Sequence, residues 1–164
     1  MAQNQPSKAI AVIPSDTINI PVPGIITSGT NTGGATTLTD AGQDFTNATT
    51  NANGYNISGG DVVISAAGVI SEIASVDSAT QLTLLTAIAA GTYDIYKGNY
   101  QILGESEGFT LFVGTGGPAT VLRIQTLTGQ DVSLLNIPDS SFIPIQVQRV
   151  WATTTTCSNI IALQ

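Results

Sequence analysis

The chain has 164 residues, 4 Lys and Arg against 11 Asp and Glu, a formal net charge of −7, one Cys and no His. Without His the commonest general base and metal ligand are missing; one Cys makes no internal disulfide or thiolate metal centre; four dispersed bases cannot neutralise a nucleic-acid backbone that the net charge repels. No apolar run reaches the ~18 residues of a membrane span, and 42% hydrophobic residues argue against disorder.

The opening, MAQNQPSKAIAVIP, lacks the basic end and apolar stretch of a secretory signal. Its polar part, Met1 to Ser7, reads as an arm held by a neighbour, because free termini fray. Ala9 to Ile13 is a short apolar run closed by Pro14, and Thr17 to Val22 alternates, with Pro21 demoting its end to an edge. Asp44 to Gly60 reads as a loop long enough to carry a contact. Strand patterns follow at Asp61 to Ile64, Val69 to Val76, Gln81 to Leu85 and Thr92 to Tyr96. Leu82 to Ala90 is the best helical candidate, but its Thr residues and terminal Gly91 favour strand for the first half and loop for the second. Phe109 to Val113, Thr120 to Leu127, Asp131 to Ile137, Ile143 to Val150 and Asn159 to Leu163 complete a series of short segments bounded by Gly, Pro, Asn, Asp or Ser. That series predicts an all-β fold, a compact β-sandwich or barrel of jelly-roll type with an N-terminal arm. Composition divides the chain into 1–24 (arm and first strands), 25–100 (a Thr-, Ala- and Asn-rich β module) and 101–164, which completes the domain begun by 1–24.

Each pattern that hints at chemistry has a plainer reading. Gly114 to Gly117 precedes a Pro and another strand, so it reads as a hairpin turn and not a phosphate loop. Asp40, Asp44, Glu105 and Glu107 are the nearest candidate carboxylate pairs, yet no apolar pocket is legible around them, and they read as solvated. Asp40 to Asp44 and Asp77 to Thr80 are candidate calcium turns without the dense spacing of a calcium loop; turn Asp residues usually bond their own backbone. Cys157 has no basic neighbour in sequence and reads as a small buried hydrophobe. The Ser residues have no His, which rules out a Ser-His-Asp triad. Asn47-Ala-Thr49 and Asn56-Ile-Ser58 match the glycosylation pattern, as chance allows in an Asn- and Thr-rich chain. Alternation places Val147, Arg149 and Trp151 on one face, either as an interface hot spot or as an Arg covering a core Trp. No catalytic residue, metal site or cofactor is expected. The expected interface residues are Gln3, Gln5, Pro6, Lys8, Phe45, Tyr55, Arg149 and Trp151.

Two segments carry a resemblance: Ala11-Val-Ile-Pro-Ser-Asp-Thr-Ile-Asn-Ile-Pro21 near the start, and Leu135-Asn-Ile-Pro, Phe142-Ile-Pro-Ile-Gln-Val-Gln-Arg-Val-Trp-Ala-Thr-Thr-Thr-Thr and Asn159-Ile-Ile-Ala-Leu163 at the end. Together they resemble small structural proteins of tailed-bacteriophage virions, some serving as spike bases and others as head decoration proteins. The stretches Gly33 to Thr39, Asp44-Phe45 and Ser75 to Leu85 resemble another β module of phage structural proteins, inserted between the ends. This chain ends in Ala-Leu-Gln where those proteins often end in an aromatic residue. The resemblance implies a non-enzymatic virion protein on the phage head surface, made in the bacterial cytoplasm. It implies a homo-oligomer, a trimer, bound to the shell of the major capsid protein, with no nucleic-acid or membrane partner. A tail spike or fibre base is the alternative. A carbohydrate-binding attachment domain using Tyr55, Tyr93, Tyr96, Tyr100 and Trp151 ranks third.

Overall fold

The computed structural model describes residues 6–47, 56–98 and 108–164. They form twelve strands: β1 (Ala9–Ala11), β2 (Val22–Asn31), β3 (Thr37–Thr39), β4 (Val62–Ser65), β5 (Ile70–Ser78), β6 (Gln81–Leu84), β7 (Gly91–Lys97), β8 (Phe109–Thr115), β9 (Val121–Thr126), β10 (Asp131–Leu135), β11 (Ser141–Val150) and β12 (Ser158–Leu163). Two six-stranded antiparallel sheets result, ordered β1-β12-β8-β11-β9-β10 and β2-β7-β4-β5-β6-β3. The fold is therefore all-β, of open sheets consistent with a β-sandwich and not a closed barrel. The chain divides into two compact units, Met1–Pro23 with Asn99–Gln164, and Gly24–Gly98.

In the unit built from the two chain ends, strict alternation makes the core. Phe109, Leu111 and Val113 of β8 and Leu122 and Ile124 of β9 are fully buried, while the residues between them are partly exposed. Each such Phe or Leu contributes about 1.5–3 kcal/mol relative to an exposed side chain. The first strand lies on the last, with Ala9 opposite Leu163 and Ala11 opposite Ile161. The arm continues that pairing, since the Ser7 and Lys8 amides both donate to the Gln164 carbonyl.

Three expectations need correction in this unit. Thr17 to Val22 is not a strand apart from Val22, although Ile18 and Ile20 are buried. The Ser15 hydroxyl accepts from the Thr17 and Ile18 amides and turns the chain there, and the imino nitrogens of Pro21 and Pro23 cannot join a ladder. Gly114 to Gly117 is not a hairpin, because β11 lies between β8 and β9 in the sheet. Gly116 is needed for close approach: a Cβ there would stand 2.0 Å from the Ile137 carbonyl oxygen. Finally, Val147 does not share a face with Arg149 and Trp151. Val147 pairs with Thr126 and Arg149 with Gln125, so Gln148 is the extra residue of a bulge. The bulge breaks the two-residue period and buries Val147, Gln148 and Val150 together.

In the unit Gly24–Gly98, Ile26, Leu38, Phe45, Ile57, Val63, Ile73, Leu82, Leu84, Ile88, Tyr93 and Ile95 form one buried cluster. Register shifts at Ile73/Ser75 and Val76/Ser78 mark β5, which serves β4 on one side and β6 on the other. Strand β2 was not legible as a strand beyond Val22; its Gly24 and Gly29 and its small polar residues hide the alternation. Buried polar groups stitch its end to β3. The Asn31 Oδ1 accepts from the Gly33 and Thr39 amides, and the Thr32 amide donates to the Thr39 carbonyl. Asp40 Oδ2 accepts from the Thr30 amide at 2.8 Å and from the Tyr93 hydroxyl at 2.9 Å, and its Oδ1 accepts from the Gly42 amide. Burial and this carboxylate both push the Tyr93 phenol well above its ordinary range. Gly29 is the gap that admits them: a Cβ there would stand 2.1 Å from Asp40 Oδ2.

Candidate functional site

The two segments that carry the resemblance meet in the unit they build. Ser15 donates its amide to the Val150 carbonyl, and Ile20 to the Gln148 carbonyl. Asp16 takes both donors of Thr153, the amide at 2.8 Å on Oδ1 and the hydroxyl at 2.6 Å on Oδ2. The Thr153 hydroxyl, then its amide, hold the Asp16 carboxyl below its ordinary range. The next residue, Thr154, sits at φ 75°, a left-handed conformation that a β-branched residue adopts only where its surroundings force it. On the other side of the turn, the Arg149 Nε donates to Asn19 Oδ1 at 2.8 Å and Nη1 to the Asp16 carbonyl at 3.3 Å.

Trp151 is the hub of this junction. The guanidinium carbon of Arg123 stands 4.7 Å, and that of Arg149 5.1 Å, from the ring centroid. Such stacking needs the rigid, weakly hydrated guanidinium plane, which Lys does not offer. Arg123 is held from its far side by Asp131, whose Oδ1 accepts from Nε at 3.1 Å while Oδ2 pairs with Nη2. That hydrogen bonding raises the Arg123 pKa and lowers that of Asp131. The Trp151 amide donates to the Arg123 carbonyl, fixing the ring's backbone to β9. Its indole Nε1 is buried without a hydrogen-bond partner.

The expected interface residues fall in different places. Gln3, Gln5 and Tyr55 lie outside the described residues, as does the 48–55 part of the expected contact loop. Lys8 is exposed, and Pro6 lines an open groove of about 410 Å³ with Ser7, Gly108, Thr110, Gln146 and Leu163. Arg149 and Trp151 come together as described. Phe45 is corrected: it is 1% exposed within the core of the unit Gly24–Gly98, with its amide bonded to the Ala79 carbonyl, so it presents nothing to a partner. Sequence reasoning missed Asn19, Arg123, Asp131 and Thr153. Asp16 and Thr153 stand in the quoted segments, but their pairing across 137 positions leaves no local signal.

The other candidates resolve into local bonding. Asp40 is buried and fully engaged, and so is not solvated as expected. Asp44 accepts from the Thr46 amide and hydroxyl, and Asp77 from the Ser75 and Thr83 hydroxyls. The Ser75 bond, then the Thr83 bond, lower the Asp77 pKa. Glu105 and Glu107 lie outside the described residues. Among the described residues no group of three or more His, Cys, Asp or Glu side chains gathers to hold a metal ion. Cys157 is buried. Tyr93 is 3% exposed, which removes it as a platform for a sugar ring; Tyr100 lies outside the described residues, and Tyr96 is only partly exposed. No protein-family model, curated protein or solved structure matches this chain.

Proposed function

We propose that this chain is a non-enzymatic structural protein of a tailed-phage virion, a decoration protein that binds and stabilises the assembled head shell as a homotrimer. The observation that carries the reading is the junction of the two resembling segments. The Pro-Ser-Asp-Thr opening and the Arg-Val-Trp-Ala-Thr-Thr ending clasp each other through Asp16–Thr153, Ser15–Val150 and Arg149–Asn19. A motif shared at two distant ends is intelligible when the ends form one structural unit, and this unit is closed by polar clamps and a cation–π stack. A protein that binds the assembled shell and not its free subunits stabilises that shell by mass action.

The test is the copy number of this chain relative to the major shell protein in purified particles, by quantitative mass spectrometry. A ratio near one to one is expected. A ratio of a few per cent moves the chain to a tail spike or fibre base, and absence from particles overturns the virion reading.

A further inference from the structure

The sheet of the unit built from the chain ends turns one face to its core. The other face carries an apolar row across four neighbouring strands. Ala11 of β1 lies opposite Ile161 of β12, Ile161 opposite Phe112 of β8, and Phe112 opposite Phe142 of β11. Directly paired residues point to the same side of a sheet, so these four side chains form one continuous strip. Phe142 is 53% exposed and Ile161 36% exposed, and Phe112 is partly exposed between them. The adjoining row, Ala9, Leu163 and Thr110, is also uncharged, and Pro144 is exposed two residues beyond Phe142.

Charge identifies what fits this strip. β1, β8 and β12 contain no charged residue, and β11 contains only Arg149, beyond the bulge and engaged with Asn19 and Trp151. The chain as a whole carries a net charge of −7, so most surfaces of two copies repel. Side chains that lie at a symmetry axis meet their own copies, so a charge there meets a like charge. A neutral apolar strip in an acidic protein satisfies that condition. A polyanion or an anionic membrane would call for cations that this face lacks. Four strands at about 4.8 Å spacing and six residues at about 3.4 Å give a face of roughly 19 by 20 Å. This is about 380 Å², roughly half of the ~800 Å² that each partner of a standard interface buries, so the strip is the apolar centre of an interface completed by the polar residues around it.

We propose that the Ala11–Ile161–Phe112–Phe142 strip is the self-association surface of this protein, placed on the symmetry axis of its oligomer, with a second copy of the chain as its occupant. The proposal deepens the oligomer in the reading above and rests on that reading for three as the expected number of chains. Its test uses the purified chain alone, so it stands or falls separately from location in a particle.

Sedimentation velocity across about 1–100 µM gives the mass of the wild type, of Phe142→Glu, of the milder Phe142→Ser, and of Leu85→Glu. Leu85 is 64% exposed in the other unit and serves as the control. The expected result is a three-chain wild type, an unchanged control, and at least a 30-fold rise in the dissociation constant for Phe142→Glu with far-UV circular dichroism preserved. If Phe142→Glu fails to fold, Phe142→Ser reads the same loss. A two-chain wild type sensitive to Phe142 supports the axis and corrects the number. A wild type of single-chain mass, variants at Phe142 that keep the wild-type mass, or a control that dissociates equally overturns the proposal. Binding of a single-chain wild type to shell particles, abolished by Phe142→Glu, would assign the strip to a different protein.

Discussion

Replacing Asp40 by Ala tests the seam between β2 and β3. The carboxylate accepts three hydrogen bonds, from the Thr30 amide, the Tyr93 hydroxyl and the Gly42 amide, and it is 7% exposed. A hydrogen bond to a charged acceptor contributes about 1.5–3 kcal/mol, and a buried donor left unpaired costs about 1–3 kcal/mol. The Tyr93–Asp40 bond is buried, so the hydroxyl has no water to turn to. The Thr30 and Gly42 amides are nearer the surface and recover part of their bonding from solvent. The expected loss is therefore about 3–4 kcal/mol, well below the sum of three full bonds. Tyr93→Phe removes one donor and leaves Asp40 with two, for an expected loss of about 1.5 kcal/mol. The double variant should cost little more than Asp40→Ala alone, because the hydroxyl has nothing left to bond; the coupling is about 1.5 kcal/mol. Urea unfolding followed by circular dichroism measures the cycle, and amide exchange at Thr30 and Gly42 assigns the loss to the seam. A loss under about 1 kcal/mol for Asp40→Ala, or strict additivity with Tyr93→Phe, would refute the reasoning.

Three further outcomes follow from the same geometry. The Tyr93 phenol is raised above its ordinary value of 10.0, so its contribution is fully present below that pH and is lost as pH rises beyond it. The stability difference between wild type and Tyr93→Phe, measured by urea unfolding from pH 8 to 11.5, should shrink above about pH 10; a constant difference would remove the phenol from the account. Asp16 is lowered from 3.8, so its clamp on Thr153 holds above that pH and is lost as pH falls through the lowered folded value. Thr153 amide protection should fall in that acid range in the wild type and be already low and flat with pH in Asp16→Ala. Thr154→Gly should raise the thermal midpoint by an amount equivalent to about 1 kcal/mol, since glycine adopts the φ of 75° without strain; a lowered midpoint would show that the Thr154 hydroxyl bond to the Thr153 carbonyl matters more.

What was legible in the sequence is what depends on neighbours in the chain. Alternation alone marks β8, β9 and β12, where Phe109, Leu111 and Val113, Leu122 and Ile124, and Ile160 and Ala162 are buried at every second position. The division of Leu82 to Ala90 is legible for the same reason: Leu82 and Leu84 alternate inward on β6, while the Thr-Ala-Ile-Ala-Ala tail has no helical face to bury. The reading fails where the period changes inside a strand. In β11 the residue pattern predicts one face for Val147, Arg149 and Trp151, and one extra residue at Gln148 redirects it. A bulge has no residue signature here, since Gln is neither Gly nor Pro; its cause is the partner strand, which offers one residue where β11 has two.

The junction was hidden for a related reason. Arg149 and Trp151 were visible as a pair because they are two residues apart, yet the groups that decide their role come from elsewhere: Arg123 from β9, Asp131 from β10, and Asp16 and Asn19 from the opening. Of the two sequence alternatives for this pair, a hot spot or an Arg covering a core Trp, the structure sets Arg149 over the ring of a partly buried Trp151 and adds Arg123, which sequence spacing does not reveal. With two guanidinium groups over the ring and each already committed, to Asp131 on one side and to Asn19 and the Asp16 carbonyl on the other, the pair acts first as the clasp that joins the chain ends. A residue committed on its polar atoms has less to offer a partner. That moves the search for an interface from the Arg–Trp pair to the uncharged strip around Phe142, whose side chains have no such commitments and whose sequence signal, four strands with a single charge among them, was present throughout.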